Sequence, residues 1–274
     1  MTYLSSNQLK QYEDQGYISP IEVLSSSEAL EARKEIELIE KKMPNEIEKS
    51  GRYNVHLISP KLDSIVHNSK ILDAVESIIG KNILVCSTTL FIKNPNKEGF
   101  VSYHQDAKYI GLEPHNWVTA WVALTDSNEN NGCMKMWPKS HINIKDHNEK
   151  FNEGNLLTRG QTVENVPEDE VKSIELKAGQ MSLHHPRIVH GSGINKSDDR
   201  RIGFVIQSYI STNVKQTLGK NSVQVARGED KFHYHEVIHR TNALMSDESI
   251  LLRKKENDHL QEIFYKGAKQ KGSY

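Results

Sequence analysis

A change of period at about residue 80 constrains this chain most. From Asn82 onward the text is a succession of short runs: "NILVCSTTLFIKNP", "GFVSYHQD", "HNWVTAWVAL", "GCMKMWP", "SIELKAGQMSLHH", "VHGSG" and "RRIGFVIQSYI". These are rich in β-branched and aromatic residues, which suit a pleated, half-buried surface. Turn signals separate them, in "NPNKEG", "DSNENNG", "VPEDE", "KAGQ" and "NKSDD". There Gly, Pro, Asn and Asp supply dihedrals that a strand does not use. Short strands at such intervals predict an all-β barrel or sandwich.

The first 80 residues are written differently. "SSNQLKQYEDQGY" reads as a short helix capped by Ser5 or Ser6 and stopped at Gly16. "LSSSEALEARKEIELIEKKM" repeats that grammar, with Leu30, Ile36, Leu38 and Ile39 as the expected apolar positions. "SKILDAVESIIG" is a third helix, ending at Gly80. Beyond Thr212 the text turns polar and mixed, and "DESILLRKKENDHLQEIFYKG" predicts a last helix. With no repeat and no linker, residues 1–274 form one expected domain. It comprises a helical part over about 1–80, a β core over about 81–211 and a C-terminal extension over 212–274. Two irregular polar stretches, "SGRYNVHLISPKL" and the segment after Thr212, are the expected lid elements.

Composition excludes several classes. A length of 274 residues allows one sizeable core. A net charge of −1 without a basic block argues against a nucleic-acid or membrane partner. No window approaches 18 apolar residues, so no span is expected. Two cysteines, Cys86 and Cys133, without a CxxC, point to a reducing compartment, and the N-terminus does not read as a signal peptide. Cytoplasmic location is the expectation. Nothing in the pattern fixes an oligomeric state.

The chemistry is concentrated in "SYHQDAKYIGL". Along a strand, residues i and i+2 face the same way, so His104 and Asp106 are expected to aim an imidazole nitrogen and a carboxylate at one point. A third ligand is available in "LHHPRIVHGSG", from His184, His185 or His190. Two histidines and a carboxylate make the facial triad of non-haem Fe(II) oxygenases, which leaves three coordination positions open. Against this, an HxD can be a hydrogen-bonded structural pair, and the chain holds 13 histidines.

The order "YHQD", "WVTAWVALTDSNENNGCMKMWPKSH", "HGSGINKSDDRR" resembles the phytanoyl-CoA dioxygenase family of Fe(II)- and 2-oxoglutarate-dependent oxygenases. The likeness covers roughly Asn82–Tyr209 and, more weakly, "LKQYEDQGYI". It implies a double-stranded β-helix, the jelly roll, as the core of a mainly β fold with flanking helices. It also implies Fe(II), with 2-oxoglutarate and O2 as cosubstrates. The metal ligands it implies are His104, Asp106 and His190. An arginine eleven positions after the distal histidine falls at Arg201 and would hold the far carboxylate of 2-oxoglutarate, a role suited to a planar, permanently charged guanidinium. Ser192, Trp121 and Lys93 match family positions around that cosubstrate, and Thr119, two residues before Trp121, is expected to face the same side. Arg200 is expected to face outward. Gln105 matches the family's HQD glutamine and is expected to point away from the metal. His141 matches a PGSH loop in which Lys139 replaces glycine, and is expected to order a turn.

Other features read as packing. Cys133 and Met134 are expected core residues, while Tyr103, Tyr109 and Trp117 are candidates for either packing or the cavity wall. His233, His235 and His239 read as a structural or surface cluster. The implied activity is hydroxylation of an aliphatic C–H, since Asp106 stands where halogenating relatives have a small residue. The expected substrate is a polar small molecule in secondary metabolism. Alternatives are an acyl-CoA, amino acid, amine or phosphonate, or a non-catalytic or other-metal jelly roll.

Overall fold

The computed structural model describes residues 3–44, 47 and 52–268. The N-terminal part comprises α1 (Ser6–Gln15), β1 (Tyr17–Glu22), α2 (Ser26–Lys42), α3 (Pro60–Val66) and α4 (Ser69–Ile79). Strands β2 (Ile83–Val85), β3 (Thr88–Lys93) and β4 (Val101–His104) follow, then α5 (Ala107–Ile110), β5 (Leu112–Glu113), β6 (Trp117–Ala123) and β7 (Met134–Trp137). A short pair, β8 (Asn148–Glu149) and β9 (Gln161–Thr162), leads to β10 (Lys172–Ile174), β11 (Gln180–His184), β12 (Val189–Ser192) and β13 (Arg201–Ser211). β14 (Lys215–Gln216), β15 (Ser222–Arg227), β16 (Glu236–Val237) and α6 (Asp247–Phe264) complete the described chain.

The early helices start where their caps dictate. Ser5 accepts from the Gln8 backbone N–H while the Gln8 side chain returns to Ser5, and Ser25 and Glu28 repeat the arrangement. Such reciprocal capping satisfies amide groups that a helix start would leave unpaired. α2 differs from expectation in its inner face. Ala29, Ala32, Ile36 and Ile39 are buried, whereas Leu30 and Leu38 are 48% and 38% exposed. The buried set follows the helical period from Ala29, and its two alanines let the helix lie close to its neighbours.

The β core is a double-stranded β-helix of two sheets, antiparallel throughout except where β16 pairs parallel with β15. The large sheet runs β1-β11-β6-β13-β2-β15-β16, with β3 also paired to β13, and the small sheet runs β10-β7-β12-β4. Alternation on the central strands serves two cores. Val118, Ala120 and Val122, with Ile202, Phe204 and Ile206, meet Ile36, Ile39, Leu62, Ile71 and Val75 of the helices. Trp121, Ala123 and Val205, one residue out of step, meet Met134, Met136, Ile174 and Ile188 between the sheets. Both faces of β6 are therefore covered, and all seven of its residues are buried.

The expected lid at 50–62 is not a polar flap in its described part. Residues 52–59 are buried, Asn54 is bonded through its amide to Thr88 O at 2.8 Å, and Pro60 begins α3; Ser50 and Gly51 lie outside the described residues. The last predicted helix is α6, which packs on residues 55–57 and on α5. No described helix is long and apolar enough to cross a membrane.

Candidate active site

The site is built on the small sheet. β12 and β4 pair so that His190 lies directly opposite His104, with ring centroids 4.2 Å apart. The strands approach closely over Gly191, where a Cβ would lie 2.8 Å from Val101 O and 2.9 Å from the Tyr103 ring. Glycine there is a steric requirement.

Asp106 reaches this point by a route the i, i+2 argument did not anticipate. β4 ends at His104, and Asp106 is the helical residue that opens α5, at φ −57 and ψ −44. The turn is pinned by the Ala107 N–H to Pro186 O at 2.9 Å. Asp106 Oδ1 ends 3.3 Å from His104 Nε2, and one ligand atom each from His104, Asp106 and His190 lie within 4.8 Å of one another. This is the one such cluster of three among the described residues.

The tautomers suit a metal. His104 Nδ1 lies 2.9 Å from Ser102 O, and His190 Nδ1 lies 3.1 Å from Ile188 O. A carbonyl can only accept, so each Nδ1 carries the proton and each Nε2 keeps a lone pair for the cavity. Burial, with repulsion from His104, pushes the His190 pKa down to about 3, so the ring is neutral.

A second group of residues sits on the large sheet. Lys93 and Arg201 are paired in register across β3 and β13, and each is 2% exposed. The Arg201 guanidinium lies 5.3 Å over the Trp121 ring and donates to Gly132 O at 3.1 Å, while its Nε has no partner. Gly203 leaves room for that indole, because a Cβ there would clash with it. Lys93 Nζ donates to Ser192 Oγ at 2.6 Å, to Gly132 O at 3.3 Å and to Gly193 O. No carboxylate among the described residues pairs with either side chain. Burial and the neighbouring Arg201 push the Lys93 pKa down to about 6, and burial pushes Arg201 down to about 10. Arg200, one residue earlier, faces outward in a two-pronged pair with Glu40 at 2.6 and 2.8 Å. Thr119 Oγ1 lies 2.8 Å from Gln207 O and 3.2 Å from Asp106 Oδ2.

One cavity joins these groups. Its wall includes the triad, Thr119, Trp121, Ser192 and Arg201; Lys93 stands behind Ser192. The rest of the lining includes the apolar or aromatic Tyr53, Tyr109, Ile110, Leu157 and Phe264. The charged residue there, Arg159, is bound by Glu149 at 2.6 and 2.7 Å and fastens Phe264 O and Lys266 O at the end of α6. Met134 also lines the cavity, whereas Tyr103, Trp117 and Cys133 do not. Tyr103 bonds Glu168 at the surface, and Trp117 and Cys133 are packed.

The remaining histidines separate cleanly. His185 turns away and packs on His141 and Tyr12, and His141 Nε2 binds Glu13 O at 3.0 Å. Lys139 adopts the left-handed φ of 67° at the position where the motif has glycine. His235 bonds Asn221 and Val214, and neither it, His233 nor His239 lines the cavity. His184, one of three candidate ligands in the sequence, is not in the cluster of three but stands against it. Gln105, pointing away as expected, has a supporting role that the sequence did not reveal. Its Nε2 donates to Asn143 O at 2.9 Å and to Arg187 O, and its Oε1 accepts from Lys145 N at 2.7 Å, so it ties the 143–145 loop beneath the triad.

This donor set fits ferrous iron and a chelating diacid. Two imidazole lone pairs and one carboxylate converge from one side, and Arg201 and Lys93, with no paired carboxylate among the described residues, stand beside them. The sequence profile of phytanoyl-CoA dioxygenase (PhyH) matches residues 12–203. A probable alpha-ketoglutarate-dependent hypophosphite dioxygenase of Stutzerimonas stutzeri is 29% identical over 78% of this chain and 81% of its own. Several other curated relatives align over 56% to 59% of their own length. Among solved structures, the non-heme monooxygenase ThoJ superposes with a TM-score of 0.83 at 28% identity, over 94% of this chain and 97% of that one. The non-heme alpha-ketoglutarate-dependent carbocyclase SnoK from nogalamycin biosynthesis gives 0.62 at 26% identity, over 79% and 88%. With a profile match over most of its length and a His–Asp–His cluster in its jelly roll, the chain belongs to the phytanoyl-CoA dioxygenase family and is an Fe(II)- and 2-oxoglutarate-dependent oxygenase.

Proposed function

We propose that the protein hydroxylates an aliphatic C–H bond of a polar small molecule in a tailoring step of secondary metabolism. His104, Asp106 and His190 hold the iron through two Nε2 atoms and a carboxylate oxygen. Arg201 receives the far carboxylate of 2-oxoglutarate, with Lys93 and Ser192 completing the pocket and Trp121 and Thr119 lining it. When bound, iron, 2-oxoglutarate and dioxygen supply the oxidising power, and the cosubstrate leaves as succinate and carbon dioxide. The protein positions the reactants and excludes water.

The observation that carries this reading is the buried Arg201 guanidinium with the Lys93 amine against it, beside the triad, with no carboxylate among the described residues paired to either. The apolar or aromatic lining of Tyr53, Ile110, Leu157 and Phe264 suits the carbon body of a substrate, and Thr158 and Gln161 offer hydrogen bonds to its polar groups. Because the Arg159 charge is taken by Glu149, a purely inorganic anion has little to hold it there. The carbocyclase and monooxygenase relatives agree with a tailoring role, and the free Cys86 and Cys133 agree with the cytoplasm. The test is anaerobic addition of Fe(II) and 2-oxoglutarate, followed by a visible charge-transfer band, then succinate release and a gain of one oxygen with candidate metabolites. A folded protein that gives no band and no succinate refutes the proposal.

A further inference from the structure

His184 closes β11 and is 1% exposed. Neither of its ring nitrogens has a hydrogen-bond partner. A neutral imidazole carries one N–H and one lone pair, and leaving both unsatisfied in a protein interior is unfavourable. The ring faces the cavity. Its Nε2 lies 3.7 Å from Asp106 Oδ2, and its centroid lies 4.8 Å from that of His190. His184 pairs in register with Thr119, whose hydroxyl is 3.2 Å from the same Asp106 Oδ2. The two oxygens of Asp106 are thus in different surroundings. Oδ1 faces His104 Nε2, and Oδ2 faces the two side chains that β11 and β6 present side by side.

We infer that His184 is a positioning residue, which with Thr119 holds Asp106 Oδ2 through its Nε2–H so that the carboxylate offers the metal one oxygen only. A carboxylate that turned both oxygens inward would occupy a second coordination position, one needed by the cosubstrate or by dioxygen. His184 cannot serve as a fourth ligand of equal standing, since it falls outside the cluster of mutually close ligand atoms. At 3.7 Å it is slightly beyond hydrogen-bonding distance, so a small ring or carboxylate rotation completes the contact. The inference rests on the proposed role of the triad as the metal site.

The test is Co(II) titration of the metal-free protein, read from the absorption of bound cobalt, with and without 2-oxoglutarate. Asp106→Ala serves as a control for the metal site itself, and loss of Co(II) binding there is independent of His184. His184→Leu should weaken Co(II) binding about 10- to 100-fold and shift the cobalt spectrum, as loss of outer contacts to a ligand does elsewhere. His184→Gln, which keeps an N–H near the Nε2 position, should stay within about threefold of wild type and keep its spectrum. If the leucine variant does not fold, His184→Asn, whose amide is too short to reach, takes its place. Wild-type affinity and spectrum in the leucine or asparagine variant overturn the inference. So does a glutamine variant as impaired as the leucine one, because a donor would then not be what matters.

Discussion

Arg201 is a buried guanidinium with no carboxylate paired to it among the described residues, and the Lys93 amine beside it has none either. A dicarboxylate relieves both, and it must do so at this end of the cavity. Arg201→Ala should raise the 2-oxoglutarate KM by about 100-fold, as expected when a buried charged hydrogen-bonding partner is lost. Arg200→Ala should leave it nearly unchanged, because that side chain is spent on Glu40 at the surface. Equal effects on steady-state KM would show the strand register to be wrong. Lys93 adds a pH signature. Its pKa is lowered to about 6 by burial and Arg201, so near pH 8 the free protein carries it as a neutral amine. A bound carboxylate favours the ammonium and raises that pKa. Binding at about pH 8 should therefore take up close to one proton per site, and uptake should vanish as the pH falls below about 6. Calorimetry in buffers of different ionisation enthalpy measures this, and Lys93→Met should abolish it.

Gly203 and Phe204 show how one strand sets two properties. Phe204 points to the helices and is fully buried, so Phe204→Ala should destabilise the protein by about 3–5 kcal/mol in denaturant unfolding. Gly203 points the other way, into the space of the Trp121 indole. Gly203→Ala should displace that ring from beneath Arg201 and weaken 2-oxoglutarate binding with a smaller loss of stability. At α6, the carbonyl of Phe264 is held by Arg159 while its ring lines the cavity and meets Tyr53 edge-on at 5.5 Å. Phe264 lies beyond residue 203, where the family match ends, so the match does not include this part of the wall. Phe264→Ala should change the KM of the organic substrate, once known, while leaving Co(II) and 2-oxoglutarate affinity alone.

At the scale of the whole molecule, the proposed site for metal and cosubstrate draws on elements far apart in sequence. His104 and His190 come from the small sheet, Asp106 from the turn after it, and Lys93, Thr119 and Arg201 from the large one. A metal and cosubstrate that together would bridge both sheets would bind only the folded state. Co(II) with 2-oxoglutarate at about 100 times its Kd should stabilise the protein by about 2.7 kcal/mol, and removing the metal with a chelator should reverse the gain in Tm. In Asp106→Ala the metal-dependent part of that gain should disappear.

Much of this was legible before any coordinates. Strand periodicity, turn residues and caps are local properties, so the early helices, the run of strands after residue 80 and the last helix could be read directly, whereas β1, which joins the large sheet from within the helical stretch, could not. The motif also placed His104, Asp106, His190 and Arg201 on the residues that line one cavity. Tertiary structure decided the rest. A helical turn, not a strand, delivers Asp106, because Pro186 in a distant loop captures the chain just after it. His184 rather than His185 faces the His–Asp–His cluster because of the register of β11 on β6. The buried face of α2 and the closure of the cavity by Phe264 depend on partners many residues away. Local spacing says which way a side chain points along its own element, but only packing says what it meets there.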